Sequence, residues 1–510
     1  MDQVVESRSD DSHNTTQQRG RGKTKDAYRE MVRMEGRPTN LEISLWYVYS
    51  LCSHFISTVL LPVVFPLIIS QMKGLPPEPA RGWLRSTKDL PCREHQMKLY
   101  HRLTHSSITV GDSKFSPLDW AAISWAGGVL PTISIVARPR TSSSSPPPSS
   151  AASSAFPLAS SNPSGSSPPY TAAVVAAATI SAATHTRQLG LMVRGFTGPN
   201  IGKLRFPARR AIISWLSLTG TAAGSVGATL MAAFTYDMLR RSDKFLSMWI
   251  VSIFSGLIWL AGAAFVVVIR PGDDDPGLIS GGPPHALRCF RFPHAAGSVA
   301  AVFFSSFATM CIFVGGTLYV FGELCVKPVF FLCFWLVYFA FPLVSLPMLH
   351  PLQLFIRTDA VRMQLLGLLL SALASGVGFF YRRETWRESH IMVFAVIQSV
   401  AAGVVDAFGR VMLLDCAPAG VEGSFAAWHA WVKALGTCAG FAVAAASSSN
   451  TSVSFGVAFC AVLTGVVVLI FGNVSNFDGA VAAGHVTDGG GSPAHVPDRT
   501  VVEDLKVSHV

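Results

Sequence analysis

Apolar residues in this chain fall in blocks of about 20, the length a helix needs to cross a hydrocarbon core roughly 30 Å thick. The blocks lie at roughly 45–71, 120–136, 168–192, 208–235, 245–270, 295–321, 328–349, 361–380, 390–413, 425–447 and 453–472. Within lipid every backbone N–H and C=O must be paired internally, so each block is expected to be a helix. Half of the residues are hydrophobic and only 14% are charged, which excludes an ordinary soluble domain. The expected class is an all-α polytopic membrane protein of about 11 spans, with the lipid bilayer as its surroundings.

The segments between the blocks set the domain plan. Residues 1–44 read as a disordered cytosolic tail; the first 40 are polar and carry eight Lys/Arg, so no cleavable signal peptide is expected. The first bundle covers 45–270. It is interrupted by a long basic loop at 72–117 and by a Ser/Pro low-complexity tract at 138–167, which cannot bury a face. The block Trp120–Val136 is short and holds Gly127, Gly128 and Pro131; it reads equally as a second span or as a re-entrant segment. A cytosolic linker at 271–294 leads to a second bundle at 295–472 and a disordered tail at 473–510. The formal net charge of +10 belongs to tails and loops beside anionic lipid, and no base-reading module points to nucleic acid. Nine cysteines form no CxxC and no paired Cys/His spacing, so neither a disulfide framework nor a metal site is expected.

One pattern occurs twice. Gly220-Thr-Ala-Ala-Gly224 returns as Gly436-Thr-Cys-Ala-Gly440, and at the same offset of 216 residues Trp215 answers Trp431 and Arg194 answers Arg410. Small residues four apart let helices pack closely; it is their register with Trp and Arg that signals an internal duplication. Parallel repeats require equivalent helices to run the same way. Five spans separate the two glycine helices, so each half should hold six. The second half does, whereas the first holds five. A twelve-span plan with its third span missing or replaced follows, and an altered reading frame across 138–167 is one cause. On that plan the loop with Arg194, Lys203, Arg205, Arg209 and Arg210 faces the cytosol, as the Lys/Arg excess favours.

Ionisable groups inside spans are costly and tend to line a path or pair with each other. Asp406 and Arg410, four apart on one helix, read either as a gating or coupling pair or as a boundary ion pair that anchors the helix. Arg187 can bind a solute carboxylate or extend to the interface. Lys433, about two turns into its helix, has the same two readings. His54 lies nearer mid-membrane and is either a proton site or a hydrogen-bonded structural histidine. No zinc-protease, nucleophile-elbow, phosphate-loop or dinucleotide motif is present, so neither an enzyme nor a cofactor is expected.

Trp46-Tyr47-Val-Tyr49-Ser50, Pro418-Ala-Gly420-Val-Glu422-Gly423-Ser-Phe425, Gly409-Arg410 and Lys433 together resemble the autophagy-related vacuole-effluxer-like branch of the major facilitator superfamily. The resemblance is strongest over 390–472 and in the first helix. Val432 stands where a small residue is usual and Asp406 where Gln is common, and the Gly/Asp/Arg loop after the second helix has no counterpart. The resemblance implies two six-helix bundles, alternating access, amino-acid efflux and a vacuolar or other endomembrane location rather than the plasma membrane. Its partners would be a small solute, with protons as the candidate coupling ion. The expected function is secondary transport of a small polar solute, with Arg187, Asp406, Arg410 and Lys433 recognising charge and gating. The alternative is a transporter-derived scaffold or receptor that moves nothing.

Overall fold

A computed structural model describes residues 37–72, 74–79, 82–86, 90–110, 112–137, 163–198, 201–241, 245–269, 289–381, 386–418, 421–472 and 474–487. Almost everything described is helical. The long helices are α1 (Asn40–Gln71), α3 (Pro117–Ala137), α4 (Pro163–Thr197), α5 (Phe206–Arg241), α6 (Phe245–Ile269), α7 (Pro293–Glu323), α8 (Pro328–Ile356), α9 (Ala360–Phe380), α10 (Glu388–Asp415), α11 (Glu422–Ala446) and α12 (Thr451–Phe471). Among the described residues, seven helices are long and apolar enough to cross a membrane by length and composition: α1, α5, α7, α8, α9, α10 and α12. The chain is an all-α, multi-pass membrane protein. The short elements are α2 (Glu94–His105), α13 (Asn476–Ala482) and the strands β1 (Ile108–Val110), β2 (Ser113–Phe115), β3 (Ile201–Gly202) and β4 (Val486–Thr487).

Local chemistry sets the helix ends and irregularities. Thr39 and Glu42 form a reciprocal capping box at the start of α1, satisfying two of its free N–H groups. Pro62 has no N–H to donate, and α1 widens to a π-helix over Ile56–Val64. The His54 carbonyl in the turn before it accepts from Ser57 Oγ and Thr58 Oγ1 at 3.3 and 3.0 Å. Over the block at Trp120–Val136, Pro117–Ala137 is one continuous helix with Pro131 inside it.

The packing repeats. In the first half α1 lies against α5 and α6, and α3 against α4; in the second, α7 lies against α11 and α12, and α8 against α10. The glycine motifs hold matching places. A side chain at Gly220 would strike the Trp46 ring on α1, and a Cβ on Gly224 would come within 2.8 Å of His54 Cβ. A Cβ on Gly436 would come within 2.6 Å of the Phe303 carbonyl on α7, and Gly440 abuts Phe307. Both glycine helices run parallel to the first helix of their own half. The α9 helix packs on α10 and α12, and no described helix does the same in the first half.

Among the described residues, helix direction is in keeping with a shortfall in the first half. Against α11, contacts on α3 run from Val129–Trp431 to Ala122–Cys438; those on α4 run from Arg194–Glu422 to Arg187–Gly423. Both helices therefore oppose α11 and run the same way as each other, although they are consecutive among the described helices. A twelve-span plan with a gap at its third span demands this arrangement. The tract at 138–167 lies outside the described residues except for its last five, which open α4. The linker at 271–294 is likewise described only from Cys289, and the tails beyond 37 and 487 are not described.

Two expectations are corrected. Residues 476–487, expected to be disordered, form α13 and β4, the latter paired in parallel with β3. Cys92 and Cys325, expected to be unpaired, form a disulfide. Composition could not reveal that pairing, because the two residues are 233 apart and sit in no spacing motif.

Candidate functional site

The charged set lies where α10 and α11 of the second half meet α5 of the first. Asp406 on α10 receives Arg410 one turn along the same helix, Nη2 to Oδ2 3.3 Å, and Lys433 from α11. Arg410 also donates to Thr221 Oγ1 on α5. Lys433 stands eleven residues into α11 and Asp406 nine from the end of α10, about 16 and 14 Å deep at 1.5 Å per residue. Lys433 thus stands near the middle of α11, and Asp406 two turns or more inside α10. One carboxylate balances only one of the two cations. Arg410 is almost fully covered, while the Lys433 side chain keeps 32% of its surface exposed, so the surplus positive charge is approachable.

Three imidazoles feel this set. The charges of Asp406, Arg410 and Lys433 bear on His54 of α1, His185 of α4 and His429 of α11. His185 stacks on Trp46 with ring centroids 4.3 Å apart and planes within 5°. Trp46 Nε1 donates to the His185 carbonyl at 3.1 Å, and His185 Nε2 returns a contact to the Trp46 carbonyl at 3.3 Å. Tyr49 bonds Ser181 on the same pair of helices. Trp46 and Tyr49 thus lock α1 to α4, which explains why an aromatic run opens the first span. His54 packs under Gly224.

Arg187 stands apart from the set, its guanidinium stem against Gly423 at the start of α11, 3.5 Å from where a Cβ would be. It stands ten residues before the end of α4, on the way to the end of the molecule at which α4 stops and α5 begins. There the halves are joined by buried ion pairs. Arg194 Nη1 lies 2.9 Å from Glu422 Oε1, and Arg209 Nε 3.4 Å from Asp415 Oδ1, all four side chains being almost wholly covered. Arg210 pairs with Asp359 nearer the surface. Ser217 Oγ on α5 donates to the Ala407 carbonyl at 2.8 Å between these pairs and the central set.

At the opposite end α2 lies against the second half. The Cys92–Cys325 disulfide ties the approach to α2, in the loop after α1, to the turn after α7. Gln96 Nε2 donates to the Val326 carbonyl at 2.9 Å and Tyr100 Oη to the Ser448 carbonyl at 3.2 Å. A first-half loop thus lies on the second half.

The structure brings Asp406, Arg410 and Lys433 together and sets His54 within their field, but not Arg187. Thr221 and the pairs Arg209–Asp415 and Arg194–Glu422 were not identified as site residues. The signal available for the pairs was a basic cluster after α4 facing acidic groups around the α10–α11 turn.

No protein-family model matches the chain. No curated protein matches it. Among solved structures, the human organic anion transporter MFSD10 (TETRAN) is similar over 85% of this chain and 100% of its own, at 13% identity and a TM-score of 0.48. A bacterial homologue of the iron transporter ferroportin, outward-facing with soaked iron, is similar over 86% and 100%, at 12% identity and 0.48. A POT family transporter in complex with 5-aminolevulinic acid is similar over 86% and 98%, at 9% and 0.46.

Proposed function

We propose that this chain is a secondary transporter of major-facilitator type, moving a small polar solute by alternating access between its two halves. The observation that carries the reading is the mid-depth set of Asp406, Arg410 and Lys433, joined to Thr221 across the boundary between the halves. A charge held there is costly unless it works on a path, and a surplus cation suits a solute carboxylate. Amino acids are the class that the resemblance implies. His54, beside the set, is the proposed proton site, and Arg187 a contact on the way in from the α4–α5 end. Disulfides persist in oxidising compartments, which favours a lumen or the exterior for the Cys92–Cys325 end and the cytosol for the α4–α5 end. A vacuolar or other endomembrane fits that assignment.

The test is counterflow of radiolabelled amino acids and other small carboxylates into vesicles holding the purified protein. Flux that is lost on Arg410→Ala, with the protein still monodisperse, supports the reading. Absence of flux for every solute class would favour the scaffold alternative.

A further inference from the structure

The chain does not stop at α12. Val474 fills the space above Gly297 near the start of α7, and His294 Nδ1 of α7 accepts from the Ser475 N–H at 3.4 Å. Ser475 caps α13 by accepting from the Asp478 N–H at 3.2 Å. Gly479 lies flat against Cys416, just past α10. The chain then turns at Gly484, whose φ of +80° suits a residue without a side chain. His485 Nε2 donates to the Ala417 carbonyl at 2.8 Å. All of these contacts attach the segment to the second half.

Its remaining contacts are with the first half. β4 pairs in parallel with β3, and the Ile201 N–H donates to the His485 carbonyl at 3.0 Å. Phe477 meets Phe206 edge to face, ring centroids 5.3 Å apart. Ile201, Phe206, Ala480 and Val486 form a small apolar cluster of their own, separate from the main core. His485 also lies in the field of Arg209 and Arg194, the cations of the two buried inter-half pairs. The segment therefore covers those pairs and spans the line along which the halves would part.

We propose that residues 474–487 are a latch that holds the α4–α5 end closed, and that β4 must leave β3 before this end can open. The proposal rests on the alternating-access reading. Opening of the α4–α5 end carries α4, β3 and α5 away from α10 and α11. A strand anchored through α12 and the α10–α11 turn cannot follow both sides. The hydrogen bonds and apolar cluster it forfeits add to the barrier set by Arg194–Glu422 and Arg209–Asp415.

The experiment uses the full chain with Ser217→Cys, in membranes exposing the α4–α5 end, and a membrane-impermeant maleimide measured against the parent chain. Ser217 is fully buried between the halves, so labelling reports opening whatever the solute. A stop after Gly472, and separately Val486→Pro in the full chain, should each raise the labelling rate at least tenfold. Glu422→Gln serves as the opening control. If Glu422→Gln raises labelling and neither latch variant does, the latch is overturned while alternating access survives. If no variant raises it, both fall together. Should the truncated chain fail to fold, Val486→Pro decides the matter.

Discussion

Arg194 at the end of α4 and Glu422 at the start of α11 form an ion pair, 2.9 Å from Nη1 to Oε1, between the two halves of the molecule and almost out of reach of water. A buried pair is expensive to assemble and more expensive to break by halves, because the surviving charge stays buried without its partner. Glu422→Gln should therefore lower thermal stability by about 3–5 kcal/mol. Replacing both residues with leucine should recover most of the loss. Melting the two variants side by side in one detergent checks this; a double variant no better than the single one would mean that the charges do not act as a pair.

The central set makes a different demand. Asp406 holds Lys433 and sits beside Arg410, so Asp406→Asn leaves two cations about one neutral amide. If the proposed transport of a small carboxylate holds, its binding should then persist or strengthen, while exchange falls at least tenfold because the cations have no carboxylate to return to once the solute departs. Arg410→Ala should abolish both. Equilibrium binding measured beside counterflow separates the two outcomes, and equal loss of both on Asp406→Asn would remove the carboxylate from the coupling step.

Two glycines at close helix crossings, Gly440 of the doubled motif and Gly227 just beyond its first copy, allow a test that involves no chemistry. A Cβ at Gly440 would meet the Phe307 carbonyl, and one at Gly227 the Leu51 carbonyl, and backbone cannot step aside as a side chain can. Gly440→Ala and Gly227→Ala should each cost about 1–3 kcal/mol, the range for overpacking a filled site. Gly74→Ala, with open space around it, should be silent. Thermal stability of the three variants checks the ranking.

Those glycines also mark how much of the molecule the sequence discloses. Small residues spaced four apart, in register with Trp and Arg, report a local need, and local needs repeat when a fold is doubled. The equivalence of α5 and α11 was legible for that reason. The arginines, by contrast, do not keep matching partners. Arg194 pairs with Glu422 at a helix start, whereas Arg410 turns to Asp406 and Thr221. Charge partners depend on which helices meet, and no periodicity along one helix states that. Cys92–Cys325, Arg209–Asp415 and β3–β4 lay out of reach for the same reason: each joins segments more than two hundred residues apart.

The disulfide fixes a loop of the first half to the second. Closing a loop of that length should contribute about 2–4 kcal/mol of resistance to unfolding, and it should keep α2 seated over its end of the molecule. Cys92→Ser, or reduction of the intact chain, should lower the melting temperature and expose Gln96 and Tyr100 to hydrogen exchange. Peptide mapping without reductant should find residues 92 and 325 in one linked fragment. Free thiols at both positions in protein taken from native membranes would remove the bridge and the compartment assigned from it.

The latch should also sense pH. Burial, with Arg209 and Arg194 nearby, pushes the His485 imidazole down to about 3, its bond to the Ala417 carbonyl only partly opposing this. Those two arginines are paired with Asp415 and Glu422. The docked segment therefore carries neutral His485, whereas a released one titrates near the ordinary value of about 6.5. Docking is then fully stable above about pH 6.5 and weakens as pH falls toward 3, because only the released form takes up the proton. One proton per release gives close to a tenfold shift per pH unit, about 1.4 kcal/mol. From pH 7 to 5.5 at the α4–α5 end, labelling of Ser217→Cys, corrected for thiolate reactivity with an exposed cysteine, should rise about tenfold. His485→Asn keeps a donor without the titration and should flatten that slope. An unchanged slope in His485→Asn would assign the pH response to another group.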